Sequence, residues 1–199
     1  ADALTNATDV IPTGDLVGNN QEAVSAALTV THPVTPGDHT VVKGARLASF
    51  DKFSLAGGKA GTVTISSISF DLYGQNATYA FGEVMVFGDG TASDDAELTT
   101  DDLDMNSWME ACYLYDKAGV QVNDSSMTLA ANGQTLLFDG LTWEIGANVT
   151  EEAHVKCDIG KPSTTRTQMY FGIDLSDVSA DIVATDEDGL TVTATGDST

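Results

Sequence analysis

Three histidines, two cysteines and thirty carboxylates are the residues of this 199-residue chain best equipped for chemistry on another molecule. His32 and His39 flank a proline-containing stretch and His154 lies in a strand-like run, so a histidine base aligned by Asp and Ser would have to be assembled from distant positions. The sequence holds no GxSxG elbow, no HExxH pair, no Walker loop and no GxGxxG turn after a strand. Glycosidase chemistry needs two carboxylates about 5 to 9 Å apart in a cleft, and with thirty acids some such pair is inevitable and therefore uninformative. Aromatic platforms for sugar are sparse, with Trp108 and Trp143 the two tryptophans, and Trp143 alternates with Leu141 and Ile145 as a core residue would. The chain reads as a protein that is not an enzyme.

The acids are better suited to holding a cation. Asp89, Asp94, Asp95, Glu97, Asp101, Asp102 and Asp104 crowd one stretch near Gly88 and Gly90, and calcium takes six to eight oxygens from such groups. The spacing is not that of an EF-hand, so a solvated acidic loop competes with a calcium site, and no other cofactor is expected. Cys112 and Cys157 match no zinc spacing and each sits in a strand-like run; in an exported protein the expectation is a disulfide. Four N-x-S/T sequons, at Asn6, Asn76, Asn123 and Asn148, make glycosylation a side hypothesis.

Charge narrows the partners. Thirty acids against eight bases give a net charge of −22, which repels nucleic acid and anionic membrane surfaces alike, since both bind through Lys and Arg. No run of about 18 apolar residues is present to cross a bilayer as a helix. The chain begins at Ala1, as a mature form does after its leader is removed, and an acidic, lysine-poor surface suits a salty or cation-rich exterior. The expected location is secreted, extracellular or at the cell surface.

The elements that would position these groups are strands. Residues 1–20 read as an arm or loop, and Val24, Ala26, Leu28 and Val30 then alternate with polar or small residues as in a strand with one buried face. Pro33 and Pro36 make the next stretch a stiff connector. Strands are predicted over 40–43, 45–55 and 62–73, with a skip at Ser66-Ser67 that a bulge would correct, and over 83–87. Met105, Trp108, Met109 and Cys112 have helical spacing, so the acidic insertion at about 85–110 accommodates a short helix capped by Thr100. Further strands are predicted at 111–115, 120–122, 126–130, 134–138, 141–145, 153–159, 168–175, 180–184 and 190–194, with turns at 116–119, 131–133, 139–140 and 186–189. No βαβ alternation is visible. The fold class is all-β, an antiparallel sandwich, divided into an arm at 1–39 with a strand at 23–31 and a body at 40–199.

The runs Ala48-Ser49-Phe50-Asp51-Lys52-Phe53-Ser54-Leu55, Val63 to Phe70, Tyr113-Leu114-Tyr115-Asp116, Leu136 to Ile145 and His154 to Gly160 resemble immunoglobulin-like surface modules of secreted and wall-associated bacterial proteins. The resemblance covers about residues 43 to 195; both cysteines and the acidic insertion depart from its pattern. It implies an immunoglobulin-like sandwich, of Greek-key or jelly-roll type, used for display or assembly.

Two functions are then expected of the segment 23–31. It either folds back as the domain's own first strand or completes the sheet of a neighbour, the donor-strand mode, which propagates as an open filament. The reading adopted is a structural subunit of an extracellular, pilus-like filament or surface layer, with copies of itself as partners and host-cell or surface-glycan contact a further one. The alternative is a monomeric, calcium-stabilised adhesive or carbohydrate-binding module.

Overall fold

Alternating apolar residues in runs separated by Gly and Asp turns fold here as two sheets around a shared core. The structure, a computed structural model, describes residues 24–32, 40–76, 108–123, 135–161 and 169–196. In chain order the strands are β1 (Leu28–Thr31), β2 (Ala48–Gly57), β3 (Val63–Asn76), β4 (Met109–Tyr115), β5 (Thr135–Phe138), β6 (Trp143–Ile145), β7 (Thr150–Ile159) and β8 (Met169–Asp174). A one-turn helix, α1 (Val178–Asp181), precedes β9 (Ile182–Asp186), β10 (Thr191–Val192) and β11 (Ala194–Gly196).

Sheet I has the order β11-β1-β2-β7-β4. Every pairing in it is antiparallel except β1 with β11, which is parallel. Sheet II is organised around the long β3. On one side β9 pairs with its first half and β8 with its second; on the other, β6 and β5 do the same, and β10 extends the sheet beyond β9. The segment 57–62 carries the chain from one sheet to the other, so it is a crossover and not a hairpin.

The inward faces meet in one cluster. Leu28, Val30, Phe53, Leu55, Ala153 and Val155 from sheet I pack on Val63, Ile65, Ile68, Phe70, Leu72 and Phe138 from sheet II. Phe53 lies 5.9 Å from Phe70, ring centre to ring centre, and Phe70 meets Phe138 edge-on at 6.1 Å. These are favourable aromatic geometries beyond their area burial.

The skip at Ser66-Ser67 is a bulge, with the β3–β9 register shifting between Ile65 and Ser67. The extra residue is engaged on both sides, since the Ser66 carbonyl accepts from the Leu141 N–H at 2.8 Å and its hydroxyl donates to the Val183 carbonyl at 3.2 Å. The break between β5 and β6 falls opposite this point. The turn at 116–119 is also found, closed by a hydrogen bond from the Gly119 N–H to the Asp116 carbonyl.

Four expectations need correction. Of the residues read as helical, Trp108 is helical and Met105 lies outside the described residues, but Met109 and Cys112 belong to β4, where a register shift between Met109 and Ala111 puts both on the buried face three residues apart and imitates helical spacing. Residues 40–43 are not a strand, and the strand predicted from 45 begins only at Ala48, since the Leu47 N–H and the Arg46 guanidinium bind Asp158 at 2.9 and 2.6 Å. Ala180 and Asp181 close α1, where Asp177 caps the Ser179 and Ala180 N–H groups, before β9 begins. Lastly, the segment assigned to an arm is an interior strand of sheet I, so the boundary at 39/40 does not separate two packing units. The remaining acidic insertion, the strands expected at 83–87 and 126–130 and the turn at 131–133 lie outside the described residues.

Candidate functional site

The feature with functional content is the slot that β1 fills. Leu28 and Val30 point inward and are fully buried, while Thr29 and Thr31 face outward. Leu28 to Thr31 pair with Gly57 to Ser54 on one side, and Leu28 to Val30 with Ala194 to Gly196 on the other. Burying the two side chains contributes about 1.5–3 kcal/mol each, and the backbone ladders add to that.

The forecast of four anchoring side chains is corrected to two with partial help from a third. Val24 is exposed at 43% and Ala26 only packs against the core's edge. The reason is the length of the neighbour: β2 ends at Gly57, opposite Leu28, so residues before Leu28 have no strand to pair with. A single hydrogen bond from the Gly58 N–H to the Ala27 carbonyl, 2.8 Å, marks the last contact of the ladder.

Two features close the slot. Gly196 has φ +140°, and a Cβ there would stand 1.9 Å from the Val30 carbonyl oxygen, so the parallel pairing needs glycine. At the exit of β1, His32 continues the inward alternation. Its Nε2 lies 3.6 Å from Asp51 Oδ2, with both side chains nearly sealed from solvent, and its ring is 5.5 Å from that of Phe53. Asp51 Oδ1 accepts from the Lys52 N–H at 2.7 Å. Sequence reading placed His32 in a connector and singled out neither Asp51 nor Gly196; the period-two series Leu28, Val30, His32 was the available signal.

The outer face of sheet I carries His154 between Lys52 and Tyr115, its cross-strand neighbours. Burial, then the charges of Lys52 and Lys156, hold the His154 pKa below the ordinary histidine value, so the ring is neutral at pH 7. Lys52 reaches Glu152 at 2.9 Å and keeps that carboxylate ionised below its usual range. Lys156 lies over the Tyr115 ring at 5.1 Å.

Cys112 and Cys157 sit directly opposite each other on β4 and β7 and form a disulfide. Both are buried. The bridge thus joins neighbours within one sheet, unlike the bridge of antibody domains, which ties the two sheets together.

Asp89, Asp94, Asp95, Asp101, Asp102 and Asp104, proposed for calcium, lie outside the described residues. Among the described residues no group of three or more His, Cys, Asp or Glu is placed to share a metal ion. Of the sequons, Asn6 lies outside the described residues, Asn76 ends β3, and Asn148 is exposed with φ +57°. Asn123 is a correction: it is 4% exposed and its side-chain oxygen accepts from the Leu114 N–H at 2.8 Å, which leaves no room for a glycan in the folded protein. Its role is to hold the chain after β4 against that strand.

A shallow groove of about 330 Å³ lies where the turn into α1 meets β11, lined by Ser176, Asp177, Ser179, Thr193 and Thr195 among others. One carboxylate and several hydroxyls line it, with no histidine or cysteine. No protein-family model matches this sequence, and no curated protein is significantly similar to it.

Proposed function

We propose that this chain is a structural module of a cell exterior, an immunoglobulin-like sandwich that joins to further copies by exchanging its N-terminal strand. The observation that carries the reading is the seating of β1. A four-residue strand plugs the gap between the second strand and the last, anchored by two buried side chains, and 16 residues separate it from the next strand. Those contacts are the same whether the strand belongs to the chain it fills or to a neighbour, which is the condition for strand exchange. Exchange in which each copy donates to the next is heterologous and open, and it grows a filament.

An exterior location is supported by the disulfide, since such bonds persist in oxidising compartments, and by the acidic composition. The immunoglobulin-like type is supported by two antiparallel-rich sheets closed over one aromatic core.

The test uses the full chain and a variant lacking residues 1–31. Under negative-stain electron microscopy the full chain should give fibres, and the truncated chain should give none and melt at lower temperature. Adding a peptide of residues 23–32 should restore the melting temperature without restoring fibres. A full chain that stays monomeric at high concentration, or a truncated chain that polymerises as before, would overturn the reading.

A further inference from the structure

Charge is divided unevenly between the two sheets. The strands of sheet II and the elements joining them carry Asp71, Asp139, Glu144, Asp174, Asp181 and Asp186 with further acids; among the described residues no Lys or Arg lies on those strands, and the described cation nearest to them in sequence is Lys59 in the crossover turn. The outer face of sheet I differs. There Arg46, Lys52 and Lys156 stand among Glu110, Glu152 and Asp158, three cations against three carboxylates. Tyr113, Tyr115 and the neutral His154 fill the space between them.

Two copies of a chain of net charge −22 repel each other over most approaches. The outer face of β2, β7 and β4 is the described surface where that repulsion is locally weakest, because its own acids and bases are paired. It also has what a specific contact uses: half-buried tyrosines, an arginine, and both signs of charge side by side. On β7 the acid Glu152 and the base Lys156 stand two residues either side of His154, so reversing the strand direction in a second copy sets acid against base.

We propose that this face is a second, lateral interface, on which a second copy of the chain docks by the same face. The contact is isologous, so it closes as a pair and joins two modules or two filaments side by side, without itself elongating them. It does not require β1 to leave its slot.

Sedimentation velocity of the full chain tests this, with β1 locked in place by a Thr29→Cys/Ala56→Cys bridge between directly opposed residues at the far end of β2, where Ala56 stands opposite Thr150 rather than beside Lys156. The locked chain should still dimerise as its concentration is raised to roughly 1 mM, the weak end of specific association. Lys156→Glu should weaken the dimer about tenfold or more, as a like-charge contact does. Lys59→Glu, which alters the total charge equally but lies in the crossover turn, should not. The double variant Glu152→Lys/Lys156→Glu rebalances the face and should recover the dimer. A locked chain that is monomeric throughout, or equal effects of Lys156→Glu and Lys59→Glu, would overturn the interface while leaving strand exchange standing. Locked dimers from a chain whose unlocked form never makes fibres would do the reverse.

Discussion

At the scale of single residues, the tightest constraint is Gly196. Any side chain there meets the Val30 carbonyl and also needs a φ that only glycine adopts easily. Gly196→Ala should therefore lower stability by about 1–3 kcal/mol, read from the urea midpoint. His154 gives a pH signature. Its folded pKa lies below the ordinary value, chiefly through burial, so the unfolded chain takes up the proton first. The stability it supports is intact above about pH 6.5 and declines as pH falls through that value toward the lower folded one. The thermal midpoint should drop between about pH 7 and pH 5, and His154→Gln should flatten the drop. Asp181 has the opposite sign. Burial, with Asp71, Asp177 and Asp174 nearby, raises its pKa despite the hydrogen bond from the Asp177 N–H, so its ionisation works against the fold. Asp181→Asn, which keeps an acceptor for that bond, should raise the thermal midpoint at neutral pH. None of these three roles is visible in the sequence, because each depends on what stands opposite in another strand.

At the scale of elements, period-two alternation located most strands, and the Ser66-Ser67 skip announced a real bulge. The failures have the same physical origin. A bulge in β4 moved Met109 and Cys112 into a three-residue rhythm, so a strand looked helical, and the end of β2 at Gly57 cut short a strand whose own pattern runs from Val24. Alternation reports which face a residue prefers, whereas the length of a strand is set by its neighbours. The cysteines were legible as a pair, though not as partners within one sheet. Their bond spans 45 residues of sequence, so replacing both with Ala should lower stability by about 4 kcal/mol on the chain-entropy account, measurable by denaturant unfolding.

At the scale of the whole molecule, composition told the sign and size of the charge but not its distribution. The concentration of described cations toward sheet I appears only once the sheets are assembled, since Arg46, Lys52 and Lys156 come from separate stretches. A folded chain of net charge −22 presses on itself, and raising salt from about 0.05 to 1 M should raise its melting temperature as that pressure is screened. The covalent bridge has one more consequence. Everything between Cys112 and Cys157 is a closed ring, and the exposed turn holding Lys117 lies on it. Trypsin cutting after Lys117 would leave the mass on a non-reducing gel unchanged, and the two fragments would part only when a thiol is added. A polymer built from such units could be nicked there and still hold together.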